Sequence, residues 1–286
     1  MFTGRISARS HPWLAEHRVA GDAVFPGTGY VELAVRAGDE LACDRIEELV
    51  LEAPLVLPAE QAVQVQVLVD PADAAGSRSF RISSRTEGRQ SWIRHASGVL
   101  AVGDGQEHAG LTAWPPAGAV PVVVDGHYAA RAEGGFGYGA IYQGLTAVWR
   151  RDGELFAEVA LGDEFRAEAD RFGLHPAVLD AALQPLSYDE RSAGARRLPF
   201  CWNGVTLHAT GASLLRVAIV PGATGDSYAL TVADTEGAPV LTAEALTLRP
   251  YDGSPLSAPA TSETASGPPS ETASGTASET ASGTAS

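Results

Sequence analysis

Lysine is absent from this 286-residue chain: all 20 basic residues are arginine. We read that as codon bias of a GC-rich genome rather than as a functional device. Set against 35 Asp and Glu, the arginines leave a net charge of −15. Phosphate-coating nucleic-acid binders and basic membrane-surface proteins both need a positive face, so neither class fits. Cysteine is scarce as well. Cys43 and Cys201 cannot make a disulfide framework and have no metal-ligand spacing around them. No stretch approaches the ~18 uninterrupted apolar residues of a membrane-spanning helix, and the N-terminus lacks the apolar core of a signal peptide. Cytoplasm is therefore the expected location. What is plentiful is core material: 45% of the residues are hydrophobic.

The last segment cannot share in that core. From Pro255 to Ser286 only Ser, Thr, Ala, Gly, Pro, Glu and one Leu occur, and Ser-Glu-Thr-Ala-Ser-Gly recurs at Ser262, Ser270 and Ser278. Such a stretch has too little apolar surface to offset its ordering entropy and reads as a disordered linker over residues 255–286. It carries three glutamates, which leaves −12 on the rest.

Residues 1–254 read as strands with few helices. Over Gln61–Val69, Val63, Val65, Val67 and Val69 fall on one face and Gln64 and Gln66 on the other, the period of a half-buried strand. Further strands are expected at Phe80–Ser84, Arg94–Val102, Val120–Val124, Leu145–Arg151, Leu155–Leu161, Val205–His208, Leu214–Val220, Tyr228–Ala233 and Val240–Leu248. One helix is expected to start with Thr28 as its N-cap and to stop at Gly38. A second starts at Pro176, suited to a first helical turn, and runs to about Pro185. A turn-rich stretch, Gly103–Gly118, separates the two sets of strands. The expected organisation is α+β: an N-terminal unit over 1–104, a linker over 105–118 and a C-terminal unit over 119–254, each a layer of antiparallel strands with one central helix.

Two places could carry chemistry. Asp180 and Gln184 lie four apart on the second helix and so share a face. The other residues of that helix are apolar, and a carboxylate there is costly unless it is paired or has a raised pKa. A raised pKa would keep it protonated near neutrality as a general acid; from spacing alone, a solvated or capping role is the simpler reading. His17 precedes Gly21, which permits tight backbone passage, and Pro26, which fixes the way into the first helix. The amides at Gly27 to Gly29 would face a developing oxyanion, and histidine is the natural base near neutral pH. A hydrogen-bonded structural histidine is the competing reading. His95, His108, His127 and His208 have no acid or metal partner at meaningful spacing, and His175 is expected at the helix start. The five tryptophans are expected in the core or the pocket wall. Gly135 to Ala140 looks superficially like a dinucleotide loop but follows no strand of a β-α-β unit. No G-x-S-x-G elbow occurs.

Resemblance narrows the choice. His17, Gly21 and Pro26, preceded by His11-Pro-Trp-Leu-Ala-Glu, resemble the H-x-x-x-G-x-x-x-x-P signature of dehydratase domains of modular type I polyketide synthases. Asp180-x-x-x-Gln184 resembles that family's D-x-x-x-Q/H motif. Gly135-Phe-Gly-Tyr138-Gly-Ala140-Ile-Tyr142-Gln-Gly-Leu resembles its G-Y-x-Y-G-P-x-F-Q-G-L block, and Leu198-Pro-Phe-Cys-Trp202 its L-P-F-x-W block. The four blocks come in the family's order across residues 1–254. Ala140 stands where the family usually has Pro, and Tyr142 where it has Phe, so the loop near the acyl tunnel is expected to differ in shape. The family also usually carries a short strand upstream of the His11 stretch, and that edge strand is expected to be missing here.

The resemblance implies a double hot-dog fold, two antiparallel sheets each wrapped around a central helix, with the site where the halves meet. It implies loss of water from a β-hydroxyacyl thioester held on the phosphopantetheine of an acyl carrier protein, giving a trans α,β-unsaturated thioester. By that analogy His17 takes the α-proton and protonated Asp180 gives its proton to the leaving hydroxyl. Gly27 at the helix start would stabilise the oxyanion, while Tyr138 and Gln184 orient Asp180 or the hydroxyl. No redox or metal cofactor is implied; a homodimer is. Relatives that shift a double bond or close an oxygen ring are one alternative, disfavoured because Pro26 and Asp180 are retained. A non-catalytic docking module of a megasynthase is another. A carrier protein is usually acidic, so docking on this acidic chain would use a local arginine patch, Arg196-Arg197 or Arg150-Arg151, though a solvated face explains either pair as well.

Overall fold

A computed structural model describes residues 1–103, 105, 108–192, 196–223, 225–253 and 256. Apart from Leu256, the expected linker at 255–286 lies outside the described residues. The N-terminal part contributes strands β1 (Phe2–Ile6), β2 (His17–Val19) and β3 (Asp22–Ala23), helix α1 (Gly27–Asp39), then β4 (Arg45–Leu51), β5 (Val63–Val69), β6 (Arg78–Thr86) and β7 (Ile93–Ala101). The C-terminal part contributes β8 (Val120–Val122), α2 (His127–Glu133), β9 (Phe136–Tyr138), β10 (Leu145–Arg151), β11 (Glu154–Ala160), α3 (Arg166–Ala169) and α4 (Pro176–Leu183), followed by β12 (Arg197–Leu207), β13 (Leu214–Pro221), β14 (Ser227–Ala233) and β15 (Pro239–Pro250).

Twelve strands form a sheet in the order β1-β5-β6-β7-β4-β12-β15-β14-β13-β11-β10-β8. All neighbours in it are antiparallel. The first five strands come from the N-terminal half and the other seven from the C-terminal half. The halves therefore meet edge to edge at β4 and β12, with Leu49 opposite Trp202 and Ile46 opposite Val205. Each half curls around its own helix: α1 packs on β4, β5 and β7, and α4 packs on β11. This is the double hot-dog arrangement. The inward faces are apolar for the reason the alternation gave: Val63, Val65 and Val67 are buried while Gln64 and Gln66 point the other way.

The two central helices touch each other. Thr28 was expected to cap α1, but Pro26 holds the cap position with extended backbone. The Thr28 hydroxyl instead donates to the Pro176 carbonyl at the start of α4, 2.8 Å away and buried. Thr28→Val, nearly isosteric, is expected to cost about 1 kcal/mol, the usual net worth of one hydrogen bond, read as a lower denaturation midpoint in urea. The second helix is shorter than expected: α4 stops at Leu183, and Gln184–Tyr188 continues as a 3-10 turn because Pro185 cannot extend the α-helical ladder. An edge strand does precede His11, since β1 pairs along the whole of Val63–Val67.

A second sheet has only three strands, in the order β3-β2-β9. Strands β2 and β3 form a tight hairpin across Ala20 and Gly21, both at positive φ, +50° and +90°. Two such residues make the primed turn whose twist matches a two-residue hairpin, and this is why Gly21 stands there. Strand β9 comes from the other half of the chain, so this small sheet is a second stitch between the halves.

Among the described residues the tryptophan expectation holds in part. Trp13 and Trp202 are buried, whereas Trp92 is exposed beneath the Arg85 guanidinium, and no tryptophan lines the cavity described below. Both cysteines are free.

Candidate active site

His17 opens β2 directly after the 3-10 turn Pro12–Glu16, and the ladder sets it opposite Tyr138 of β9. Its Nδ1 lies 2.9 Å from the Val24 carbonyl. A carbonyl can only accept, so Nδ1 carries the proton and Nε2 presents its lone pair. That bond comes from the far side of the Gly21 hairpin, so the local fold selects the tautomer.

Asp180 reaches the same place from α4. Its Oδ1 lies 3.7 Å from His17 Nε2, and both side chains are about nine-tenths buried. The separation is too long for a hydrogen bond, so the pair is adjacent without being locked together. Of the two readings that the spacing of Asp180 left open, the solvated or capping role is excluded: the rest of α4 is apolar and Oδ2 is buried with no hydrogen-bond partner. Burial pushes the Asp180 carboxyl above the usual carboxylate range, while His17, Gln184 and Arg131 pull it the other way. The net direction is upward, toward the protonated acid.

The residues around this pair form a fixed frame. Gln184 is buried; its Oε1 accepts from the Tyr128 hydroxyl and its Nε2 donates to the Tyr142 carbonyl, both at 2.9 Å. The Leu145 amide in turn donates to the Tyr128 oxygen. Burial pushes the Tyr128 phenol up to about 12 and raises that of Tyr138 further, so both are proton donors at neutral pH. The Tyr138 and Tyr142 rings lie 5.9 and 5.2 Å from the His17 ring. Gly27, first residue of α1, has Leu51 Cδ1 3.1 Å from where a Cβ would stand, so a side chain there would press into the wall.

A cavity of about 450 Å³ joins these groups: His17, Gly27, Tyr138, Asp180 and Gln184 all line it. All five residues singled out from the sequence thus meet in one place. Ala140 and Tyr142 do not line it: Ala140 is exposed, whereas Tyr142 is fully buried with its ring against His17, so of the two departures from the family block only Tyr142 bears on the packing of the histidine. Arg196 and Arg197 also line the cavity. Arg150 pairs with Glu190 and the Tyr188 carbonyl and Arg151 with Glu154, and neither lines the cavity. Sequence reasoning passed over Arg131 and Tyr128, which sit on α2. The signal available was their i, i+3 spacing on a short helix just ahead of the Tyr138 block.

Three of the other histidines are held in hydrogen bonds away from this pair. His175 Nδ1 caps α4 by accepting from the Ala177 amide, and burial lowers its pKa to about 4. His95 bridges Ser84 and the Ala53 carbonyl. His127 meets the Tyr188 hydroxyl, with its pKa likewise lowered to about 4, by burial first and Arg131 second. Among the described residues no cluster of three or more His, Cys, Asp and Glu could hold a metal ion, and no helix is long and apolar enough to cross a membrane.

Comparison with known proteins places this architecture. Residues 106–258 match the family described as polyketide synthase dehydratase N-terminal domain, and residues 1–85 match polyketide synthase dehydratase domain. The chain belongs to the polyketide synthase dehydratases. The polyketide synthase GfsA of Streptomyces halstedii is 50% identical over 91% of the chain. A solved structure from work titled as dehydratase substrate selection for the borrelidin and fluvirucin polyketide synthases is 48% identical, with a TM-score of 0.83 over 87% of this chain and 89% of that one. The dehydratase domain from the terminal module of the rifamycin polyketide synthase is 47% identical, with a TM-score of 0.81 over 87% and 90%. The chain spans only 4–7% of the length of the curated synthases it matches first, as one dehydratase domain among many others would.

Proposed function

We propose that this dehydratase domain eliminates water from a β-hydroxyacyl thioester presented by an acyl carrier protein, giving the trans α,β-unsaturated thioester. The observation that carries the reading is the 3.7 Å approach of His17 Nε2 and Asp180 Oδ1 inside one cavity. The α-proton is weakly acidic and hydroxide is a poor leaving group, so the reaction needs a base and an acid at once. His17 Nε2 takes the α-proton, the electron pair becomes the new double bond, the β-carbon–oxygen bond breaks, and Asp180 gives its proton to the departing oxygen as water. This leaves an imidazolium and a carboxylate side by side, and transfer of that proton from Nε2 to Asp180 restores both. No oxidation state changes, so no redox cofactor is called for.

The amides at the start of α1, Gly27 first, would meet the charge that develops on the thioester oxygen, since the first turn of a helix has no internal acceptors for its N–H groups. Tyr138 donates toward the hydroxyl or Asp180. Gln184, held by Tyr128 and Tyr142, keeps Asp180 in place. Arg196 and Arg197 would receive the phosphodiester of the carrier's arm. The cytoplasm, a homodimer and neighbouring synthase domains complete the proposed setting, and residues 1–104 and 119–254 are the proposed halves.

The test is direct. The folded domain is incubated with a β-hydroxyacyl carrier protein and the acyl group is followed by mass. Loss of one water is expected; an untouched acyl group would overturn the reading and leave the docking-module alternative.

A further inference from the structure

Arg131 has no part in the mechanism above, yet it stands in the same cavity wall as Asp180 and Tyr138. It projects from α2, and its guanidinium lies over the Phe136 ring with 4.1 Å from Cζ to the ring centre. That stacking fixes its direction. Its Nε is buried without a hydrogen-bond partner, and among the described residues no carboxylate lies within salt-bridge distance of it. An arginine cannot shed its charge, so a part-buried guanidinium without a standing anion is costly at rest. In the dehydration cycle an anion does appear in this wall: the Asp180 carboxylate, once its proton has gone to the leaving oxygen.

We propose that Arg131 is a positioning residue of the dehydration, a fixed cation aimed so that it stabilises the Asp180 carboxylate formed on proton donation. This deepens the function proposed above and rests on it. Every group facing Asp180 bears on the argument. His17 comes from β2, Tyr138 from β9, Tyr142 from the turn after it, Tyr128 and Arg131 from α2, and Gln184 from the turn after α4. The three tyrosines are neutral, since burial and the Asp180 charge both oppose their ionisation, so none of them supplies a counter-charge. His17 gains its charge only during the reaction. Arg131 alone is cationic at every pH of interest, and it acts on the Tyr138 phenol as well as on Asp180.

The experiment compares Arg131→Met, which keeps the length of the side chain, with Arg131→Lys, which keeps the charge. The Asp180 carboxyl carbon is followed by NMR in isotope-labelled protein, with Asp180→Asn identifying its signal. The Asp180 midpoint is expected to rise by roughly one pH unit in Arg131→Met, the lower end of what one nearby opposite charge does, and to stay near wild type in Arg131→Lys. In turnover, kcat of Arg131→Met is expected to fall about tenfold, within the range of a general-acid contribution, with KM unchanged and the alkaline limb of the pH profile moved up with the midpoint. An unmoved midpoint overturns the proposal, and so does a loss confined to KM, which would make Arg131 a substrate contact instead. The midpoint is read without turnover, so its result stands even if the wild-type domain released no water, an outcome that would fault the proposed function and not this coupling.

Discussion

Asp180→Asn is expected to lower kcat for water release by about 10²–10⁴-fold while the domain stays folded. The amide keeps the shape of the carboxyl and removes its proton-donating role. Stability moves in the opposite direction from activity. Burial raises the folded-state pKa of Asp180 above its unfolded value, so the folded state holds the proton more tightly. Its contribution to stability is then present at low pH and is lost as pH rises from the unfolded value through the folded one. At neutral pH and above, a buried carboxyl with Oδ2 unpartnered weighs against folding. Asp180→Asn removes that burden, so its Tm should equal or exceed that of the wild type at pH 8, read by thermal unfolding. The same sign governs activity: the acid must be protonated, so the wild-type rate should fall as pH rises through the Asp180 midpoint, and no such limb should remain in the residual rate of Asp180→Asn. A large loss of Tm in the variant would mean that Asp180 supports the fold, and the catalytic reading would lose its main residue.

The second large effect is on the seam. Trp202 is completely buried on β12, opposite Leu49 of β4 on one side and Leu246 of β15 on the other. It is thus packed where the two halves join. Trp202→Ala is expected to cost about 3–5 kcal/mol, the range for removing a buried large aromatic and leaving a cavity. For a domain of this size that corresponds to a fall in Tm of roughly 10 °C. The Trp202 indole nitrogen has no hydrogen-bond partner, so the loss is one of packing and not of a polar contact. Because the seam also sets where β2 meets β9, activity should fall more steeply on warming than in the wild type. A drop in Tm below 3 °C would show that the halves are held by other contacts, with the β3-β2-β9 stitch and the Thr28 hydroxyl as the next to test.

How much of this could be read in the sequence varies with the physics of each element. Strand Val63–Val69 was legible because its alternation is unbroken: Val63, Val65 and Val67 are buried on one face and nothing interrupts the period. Strand β4 was not. In Arg-Ile-Glu-Glu-Leu-Val-Leu a register shift between Ile46 and Glu48 puts the buried Ile46 and Leu49 three apart, which hides a strand behind a helix-like spacing. The start of β12 was hidden in the same way by Pro199 and the shift between it and Cys201. Thr28 has the right chemistry for a cap, but Pro26 had already set the extended backbone, and the hydroxyl went to a partner 148 residues away that no local rule can see. In the site, Asp180 was suggested by being the one carboxylate on a greasy helix, and the pairing with His17 by family resemblance alone. Arg131 was invisible because its meaning lies in a ring stacked five residues later and a carboxyl on another helix.

The account rests on His17 and Asp180 working as one unit across the junction of the halves. Single-turnover rates on a β-hydroxyacyl carrier protein, measured for His17→Ala, Asp180→Asn and the double variant, test this most directly. A concerted pair predicts that each single change removes nearly all the rate and that the double variant is no slower than the slower single, because groups that act together are not additive. Penalties that multiply, or either single variant turning over at close to the wild-type rate, would contradict it.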